Sequence, residues 1–304
     1  MNFLPVSPSE YKRLAPFFDG QPHTHSAYCL SGIVAWNNCA FNNYYAIHDK
    51  SVYLYESPES EPPLSYLLMP VSGKREFAPQ ELLEALRRTG QPEIRFAPEA
   101  YVEKHKKELE SLFIITEQPE YEDYVYRQSD LAALDGREYA KKRNLLRQFE
   151  REYLSKERVK SEPISARNTA LCLSLAERWY ETRAPHKSHK PQELVCDRKA
   201  LTQTLHNFDQ TGASGLLVLI DGKPAGLGIA SRLNPDTAVL NFEKALDEHK
   251  GLYQYLDKEC AARLCAGFAY INKESDLGDP GLRQAKASYY PALRIKAYSL
   301  SPRN

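Results

Sequence analysis

The fold is decided by residues 239–291, which read VLNFEKALDEHKGLYQYLDKECAARLCAGFAYINKESDLGDPGLRQAKASYYP. The spacing of the apolar residues predicts, in order, a strand, a loop, a helix, a second strand, a second loop and a second helix. A strand that opens into a loop and leads at once into a helix directs backbone N–H groups and the positive helix end toward one point. The stretch therefore predicts an α/β unit with an anion-binding site where its loops meet.

Four segments of this stretch are those of a known family: NFEKA at 241–245, GLYQ at 251–254, YINKESDLGDPGLRQAK at 270–286 and SYYP at 288–291. The chain resembles a bacterial family related to the C-terminal domain of phosphatidylglycerol lysyltransferases, most closely over 123–144 and 241–291. That family looks like two fused GNAT acyltransferase folds. The resemblance implies an α/β (α+β) chain of two tandem GNAT-like units, each a mixed central sheet flanked by helices.

The two halves of the chain repeat one order of elements. From Tyr44 onward the patterns predict a hairpin, a strand, a helix, a strand, a helix and a strand, and the second half repeats this order. Its hairpin is residues 216–231, with Asp221-Gly222 at the turn, which is the strongest short-range hairpin signal. We place the boundary at Gln128, which gives an N-terminal unit over 1–128 and a C-terminal unit over 129–304 that carries the expected site.

Composition sets limits on the class of protein. The 304 residues are 42% hydrophobic and 26% charged, which is enough for two modest cores or one large α/β unit. No apolar run reaches 18 residues, and the N-terminus lacks a basic region followed by an apolar one. We therefore expect no membrane span and no signal peptide, and we predict a cytoplasmic protein.

Charge is divided unevenly between the halves. Residues 1–128 hold 12 Lys and Arg against 18 Asp and Glu, so the remainder of this neutral chain carries a net charge of +6. A basic second half favours an anionic ligand such as a nucleotide, CoA or tRNA. Ordinary surface charge is the alternative.

The resemblance implies transfer of an acyl group to an amine, and such transfer needs a cradle for the donor's phosphate. The usual cradle is a Q/R-x-x-G-x-G/A loop, but residues 247–253 read DEHKGLY, with one glycine and two preceding acids. This departure counts against acetyl-CoA. We predict that Lys250 and Gly251 hold a phosphate or a tRNA 3′ end, and a plain helix start is the alternative.

Candidate catalytic carboxylates follow the two strands. Alternation along the first strand predicts Asn241 and Glu243 on one face, and Glu243 is the first choice for the general base. Asn272, Glu274 and Asp276 follow the second strand at the same end of the sheet, and Glu274 is the second candidate base. A structural Glu–Lys pair, and turn formation by the Asp and Gly residues, are the competing explanations.

Basic and tyrosine side chains complete the candidate site. Arg283 and Lys286 are three residues apart and share a helix face, where we expect them to bind an anion. Many GNAT enzymes carry a tyrosine near the end of this helix that protonates the leaving group, and Tyr289 matches that position, with Tyr290 as a near rival. The resemblance thus implies an acid role for Tyr289.

A second basic group lies in the KKRN run, 141–144. Lys141, Lys142 and Arg143 are predicted to form a basic rim for a phosphate backbone, with Asn144 at the cleft. A solvated helix face is the alternative, because that is the usual position of a charge run.

Together these features predict an acyl- or aminoacyltransferase of the GNAT superfamily. Its donor would be aminoacyl-tRNA or acyl-CoA, and its acceptor a small molecule, a peptide or a lipid head group. No metal site is predicted, and no cofactor beyond the donor. The competing hypothesis is a non-catalytic GNAT-like protein that binds a ligand or nucleic acid.

Overall fold

Two mixed sheets of seven strands organise the chain, each flanked by helices. The computed structural model describes residues 1–37, 41–58, 65–73, 75–183 and 191–303. The helices of this part of the chain are α1 (Tyr11–Phe18), α2 (Leu30–Ala35), α3 (Pro79–Thr89), α4 (Glu99–Lys104), α5 (Lys106–Leu112), α6 (Gln128–Ala133), α7 (Ala140–Glu152), α8 (Thr169–Arg183), α9 (Pro191–His206), α10 (Leu252–Glu259) and α11 (Pro280–Ala287).

The strands divide evenly between the sheets. In chain order they are β1 (Leu4–Pro5), β2 (Phe41–His48), β3 (Ser51–Pro58), β4 (Tyr66–Leu68), β5 (Ile94–Pro98), β6 (Phe113–Glu117), β7 (Asp123–Arg127), β8 (Val159–Pro163), β9 (Ser214–Ile220), β10 (Lys223–Arg232), β11 (Thr237–Ala245), β12 (Tyr270–Asn272), β13 (Leu293–Ile295) and β14 (Ala297–Pro302). The first sheet has the order β1-β2-β3-β4-β5-β14-β6, and the second β13-β7-β12-β11-β10-β9-β8. The predicted pair of mixed-sheet units is confirmed.

Each sheet contains one parallel strand pair among its described pairings. In the first sheet it is β4 with β5, and in the second β11 with β12. All the other described pairs are antiparallel. The parallel pair therefore marks the same position in the two units.

The sheets exchange strands across the predicted boundary at residue 128. Strand β7 precedes that boundary but pairs with β12 and β13 in the second sheet. Strand β14, at the end of the chain, pairs with β5 and β6 in the first sheet, although its sequence was interpreted as the last strand of the second repeat. A cut at 128 would thus remove one strand from each sheet.

Local predictions from apolar spacing and turn chemistry are confirmed. Helix α3 buries an apolar stripe, since Leu82, Leu83 and Leu86 are each 8% exposed or less. The hairpin of β9 and β10 turns at Asp221 and Gly222, and both have positive φ as a two-residue hairpin turn requires. No helix in the described ranges is long and apolar enough to cross a bilayer.

The N-terminal segment joins the two sheets through buried hydrogen bonds. Gln21 Nε2 donates to the backbone oxygens of Tyr28 and Leu233, at 2.9 and 2.7 Å. Ser31 Oγ donates to the backbone oxygen of Thr211 at 2.6 Å. These contacts hold residues 21–31 against the segments that precede β9 and follow β10 in the second sheet.

Candidate functional site

The candidate site lies where β11 and β12 separate. Their parallel pairing covers three residue pairs and ends at Val239 and Asn272. Beyond that point β11 continues to Ala245, whereas the chain after Asn272 leaves the sheet in a loop that leads to α11. Helix α10 packs on β10 and β11 beside this opening. The end of β11, the loop after β12 and α10 therefore meet, as the order of elements predicted.

A bulge in β11 separates two residues that were expected on one face. The register of β10 against β11 shifts at Asn241, which has no opposing partner. Asn241 Oδ1 accepts a hydrogen bond from Ser231 Oγ at 2.6 Å, and its Nδ2 lies 3.8 Å from Cys29 Sγ. Glu243 lies on the other face, toward α10. The prediction from strand alternation was wrong for Asn241, because the bulge places this extra residue on the opposite face from Glu243.

One lysine joins two carboxylates at the opening. Lys273 Nζ donates to Glu243 Oε2 at 3.0 Å and to Asp257 Oδ1 at 2.9 Å. The Glu243, Lys273 and Asp257 side chains are 15%, 14% and 4% exposed. Glu243 Oε1 is buried and has no hydrogen-bond partner in the part of the chain that the structure describes. Four other buried side-chain atoms among the described residues share this property, so what distinguishes Glu243 Oε1 is its place beside the charged Lys273 and Asp257.

The surroundings of Glu243 adjust its acidity to the neutral range. Burial and the nearby Asp257 carboxylate raise the pKa of Glu243 to about 7, against the attraction of the Lys273 ammonium. Burial disfavours the charged form of Lys273, but the Asp257 and Glu243 carboxylates outweigh it and hold its pKa well above the usual value. Lys273 therefore stays charged, and Glu243 is the group that can gain or lose a proton near pH 7.

Tyr289 closes the cluster from the end of α11. The residue is 8% exposed, and Lys142 Nζ lies 3.8 Å from its ring centroid. Burial and the Asp257 carboxylate raise the pKa of Tyr289 well above 10, against a hydrogen bond with Gln254. Its hydroxyl thus keeps a proton that it can donate. Tyr290, the rival candidate, is 53% exposed and has no such enclosure.

Glu274 faces a different group of charges from Glu243. Burial raises the pKa of Glu274 to about 7, and the Asp123 carboxylate adds to this while the Lys286 ammonium opposes it. Its backbone has a positive φ of 60°, and its N–H donates to Asn272 Oδ1 at 2.7 Å. Asn272 is fully buried and also donates to Asp123 Oδ2 at 2.7 Å. Asn272 thus holds the loop that carries Glu274 instead of lining a cleft.

The basic residues of α11 fasten the loop before it. Lys286 Nζ donates to the backbone oxygens of residues 273, 274 and 275, at 2.5–3.0 Å. Arg283 Nε donates to Asp276 Oδ2 at 3.0 Å, and Tyr124 donates to the same oxygen at 2.5 Å. These bonds outweigh burial and lower the pKa of Asp276. Lys286 and Asp276 are therefore engaged within the protein, and only Arg283, 57% exposed, also reaches solvent.

The KKRN run divides between inward and outward contacts. Lys142 Nζ donates to Ser288 Oγ at 2.7 Å, beside Tyr289. Arg143 donates to the backbone oxygens of residues 134 and 136, at 2.6 and 2.5 Å. Lys141 and Asn144 are exposed. The run is therefore not one continuous basic rim, because two of its three cations are directed into the fold.

Carboxylates occupy the loop where a donor phosphate was considered. Asp247 accepts a hydrogen bond from Arg183 Nη2 at 3.0 Å, and both carboxylate oxygens of Glu248 accept from Arg178 Nη2, at 2.7 and 2.8 Å. These pairs tie the loop to α8. The arginine charges are thus already neutralised, which leaves them little attraction for a phosphate.

The two residues predicted to bind the donor differ in their surroundings. Lys250 is exposed. Gly251 caps α10 with a φ of 86°, and a Cβ atom there would lie 2.3 Å from a backbone oxygen of α7. The single glycine of the loop is thus explained by helix packing, and CoA pyrophosphate does not fit this loop as a glycine-rich cradle would hold it. No cluster of three or more metal-ligating side chains occurs among the described residues.

Three buried charges of the site were missed by sequence reasoning: Lys273, Asp257 and Asp123. Asp257 had a usable signal, because it lies three and four residues before Cys260 and Ala261, on the buried side of α10. Lys273 and Asp123 stand at strand ends, where charged residues are common and carry little information. Only the tertiary structure shows that their partners are buried carboxylate and amide groups.

The sequence matches one protein family over most of its length. The model of the family "Phosphatidylglycerol lysyltransferase, C-terminal" matches residues 22–301. No curated protein sequence matches the chain.

Solved structures share the fold. A conserved protein of unknown function from Bacteroides thetaiotaomicron VPI-5482 is 24% identical, with full coverage of both chains and a TM-score of 0.87. The C-terminal domain of a candidate lysylphosphatidylglycerol synthetase from Agrobacterium fabrum is 12% identical, with 96% of this chain and 91% of that chain covered and a TM-score of 0.61. A tandem GNAT protein from the clavulanic acid biosynthesis pathway is 10% identical, with 99% and 98% covered and a TM-score of 0.45. The first two of these structures have the fold of this chain over nearly its whole length.

Proposed function

We propose that this chain, which belongs to the phosphatidylglycerol lysyltransferase C-terminal family, is an acyl- or aminoacyltransferase that acts where β11 and β12 separate. Glu243 is the general base of the transfer. The donor of the transferred group is an activated ester, and the acceptor carries an amine or a hydroxyl group. The identity of both substrates follows from the experiments below.

One observation carries the proposal. Glu243 Oε2 is held by Lys273 Nζ at 3.0 Å, whereas Oε1 is buried and has no partner among the described residues. The pKa of the group is raised to about 7 by burial and Asp257. A general base works best when its pKa is near the operating pH and one of its oxygens is free to take a proton. Glu243 meets both requirements.

The proposed transfer uses Glu243 as base and Tyr289 as acid. The acceptor nitrogen or oxygen attacks the acyl carbon and forms the new bond, and its proton passes to Glu243 Oε1. The bond from the acyl carbon to the leaving oxygen or sulfur breaks. The Tyr289 hydroxyl gives its proton to that leaving atom. The proton taken up by Glu243 then passes to the Tyr289 oxygen, which returns both groups to their starting states. Lys273 holds Glu243 in place, and Asp257 keeps Lys273 charged.

The donor site favours an ester held away from the 247–251 loop. Two carboxylates and a packed glycine occupy the usual phosphate position, so no step is assigned to CoA. Aminoacyl-tRNA is thus the first donor to test, because its phosphates lie along a backbone and need no single cradle.

The first experiment is calorimetric titration with acetyl-CoA, with CoA and with bulk aminoacylated tRNA. We expect no binding of CoA, and tRNA binding that weakens steeply between about 50 and 200 mM salt. Micromolar CoA binding would instead require a phosphate site other than the loop. No detectable binding of any of these donors would favour the non-catalytic alternative.

Catalysis is tested with whichever donor binds, from the rate of donor deacylation in the presence of amine and hydroxyl acceptors. Glu243→Gln is expected to lower kcat by about 10²–10⁴-fold, the usual contribution of a general base, with donor affinity retained. Glu152→Gln makes the same chemical change at an exposed residue of α7 and is expected to leave kcat unchanged. Equal rates in the two variants would refute the role of Glu243.

A further inference from the structure

The first sheet has its own parallel pair, and that pair also ends early. Strands β4 and β5 pair at Leu67 with Ile94 and at Leu68 with Arg95. The next pair in this register would be Met69 with Phe96, yet the two strands do not bond to each other there. This is the same position in the first unit as the separation of β11 and β12 in the second.

A tyrosine side chain fills the first opening. Tyr28 is fully buried, and its hydroxyl accepts a hydrogen bond from the Met69 N–H at 3.2 Å and donates to the Phe96 oxygen at 3.1 Å. The hydroxyl thus satisfies both backbone groups that the strands leave unpaired. His23 stacks on the ring, with centroids 4.0 Å apart.

The backbone around the opening is shaped to receive this hydroxyl. Phe96 has a φ of 58°, a left-handed conformation that is unusual for a large side chain. Its N–H donates to Gln118 Oε1 at 3.1 Å, while its oxygen receives Tyr28. The Met69 N–H, the Phe96 N–H and the Phe96 oxygen each have a partner, whereas Glu243 Oε1 of the second unit has none in the part of the chain that the structure describes.

We infer that Tyr28 is a built-in occupant of the first unit's strand opening, so that this unit binds no substrate there. The ligand class that fits the opening is a phenol, supplied by the chain itself. This inference goes beyond the proposed function, because it concerns the other unit and stands whether or not the second unit catalyses a transfer.

The residue after Tyr28 packs against the second unit. Cys29, the next residue, places Sγ 3.1 Å from Ser231 Oγ, beside the bulge residue Asn241. Burial raises the pKa of the Cys29 thiol, which therefore stays protonated and serves as a packing group. Occupation of the first opening by Tyr28 thus also fixes the chain that packs against the second opening.

Amide hydrogen exchange tests the hydroxyl bridge. In Tyr28→Phe the ring remains but the Met69 N–H loses its acceptor, so we expect its exchange to quicken at least about tenfold. Tyr101→Phe is the matched control, since Tyr101 is a buried tyrosine of the same unit whose hydroxyl donates to the Phe77 oxygen. It should leave Met69 exchange unchanged. Unaltered exchange in Tyr28→Phe, or an equal change in the control, would overturn the inference.

Occupation of the opening is tested by adding a free phenol to a variant that lacks the Tyr28 side chain. Tyr28→Ala should have a lower melting temperature than the wild type, and p-cresol should restore part of the loss with one-to-one saturation. The wild-type protein should show no such response, because its opening is filled. Stabilisation of both proteins by p-cresol to the same extent would refute an occupied opening. If Tyr28→Ala does not fold, the exchange measurement on Tyr28→Phe decides the question alone.

Discussion

Replacing Asp257 with asparagine is expected to lower the pKa of Glu243 from about 7 to about 5. Each carboxylate oxygen lies within 3.0 Å of Lys273 Nζ, so the two oxygens are at most about 6 Å apart. Two like charges at that distance repel by about 2.8 kcal/mol at an effective dielectric constant of 20, which corresponds to about two pH units. Asparagine keeps the shape of the side chain and removes this repulsion.

The assay is a pH titration of Glu243, which does not require a known substrate. The ¹³C chemical shift of its carboxyl group reports the midpoint directly, and Glu243→Gln identifies the signal. Where a donor is in hand, the acid limb of kcat/KM should move by the same amount. A midpoint that stays near 7 in Asp257→Asn would refute the argument that Asp257 sets the acidity of the base. A midpoint near 4.5 in the wild-type protein would refute the raised pKa itself.

Four further outcomes follow from the contacts of the site and the exchange of strands. The pKa of Glu243 is higher in the folded chain than in the unfolded chain, so the stability it contributes is present below about pH 4.5 and is lost as pH rises through about 7. Glu243→Gln lacks this contribution. Its unfolding free energy, measured in urea, should therefore fall less steeply with pH than that of the wild type, by up to about 1.4 kcal/mol per pH unit. Equal slopes in the two proteins would contradict this. Tyr289→Phe should lower kcat and leave donor affinity intact, since the ring still fills its place, whereas a loss of affinity alone would argue against an acid role. Lys142→Ala should reduce the unfolding free energy by about 0.5–2 kcal/mol, because the ammonium group that lies over the Tyr289 ring is lost. Lys141→Ala should leave stability unchanged, because that side chain is exposed, and equal effects would remove the distinction between the two lysines. Fragments cut after residue 128 should not unfold cooperatively when separate but should reassemble on mixing, because each lacks a strand held by the other, and circular dichroism of each fragment alone checks this.

The sequence predicted the fold through features that act locally. Alternating apolar residues and the Asp221-Gly222 turn specify a hairpin without help from distant residues, and the stripe of α3 specifies its buried face. The strand exchange was not predicted, because β7 and β14 read as ordinary strands and nothing in their residues says which sheet they join. Topology of that kind depends on packing between the units.

The candidate site was predicted in part, and the failures have a physical pattern. Glu243 and Tyr289 lie close to Lys273, near one another as the order of elements indicated, and their catalytic roles stay predictions. Asn241 was assigned to the wrong face because one bulge residue inverts alternation. Lys286 was expected to bind an anion, but three backbone oxygens bind it instead. A cation on a helix face looks the same in a sequence whether it meets a ligand or a loop of its own chain.

The two openings of this chain differ in what they keep buried, and that difference bears on function. A phenol fills the first opening and satisfies its backbone groups without burying any charge. The second opening buries Glu243, Lys273 and Asp257 together, and taking ions out of water is costly even when they are paired. A neutral occupant of the kind seen in the first unit would close the second opening with less desolvation. The second opening thus retains buried charges although the same fold can close such an opening with a neutral side chain. Buried charges of this kind are what a catalytic site requires, because their burial shifts the pKa values of its acid and base.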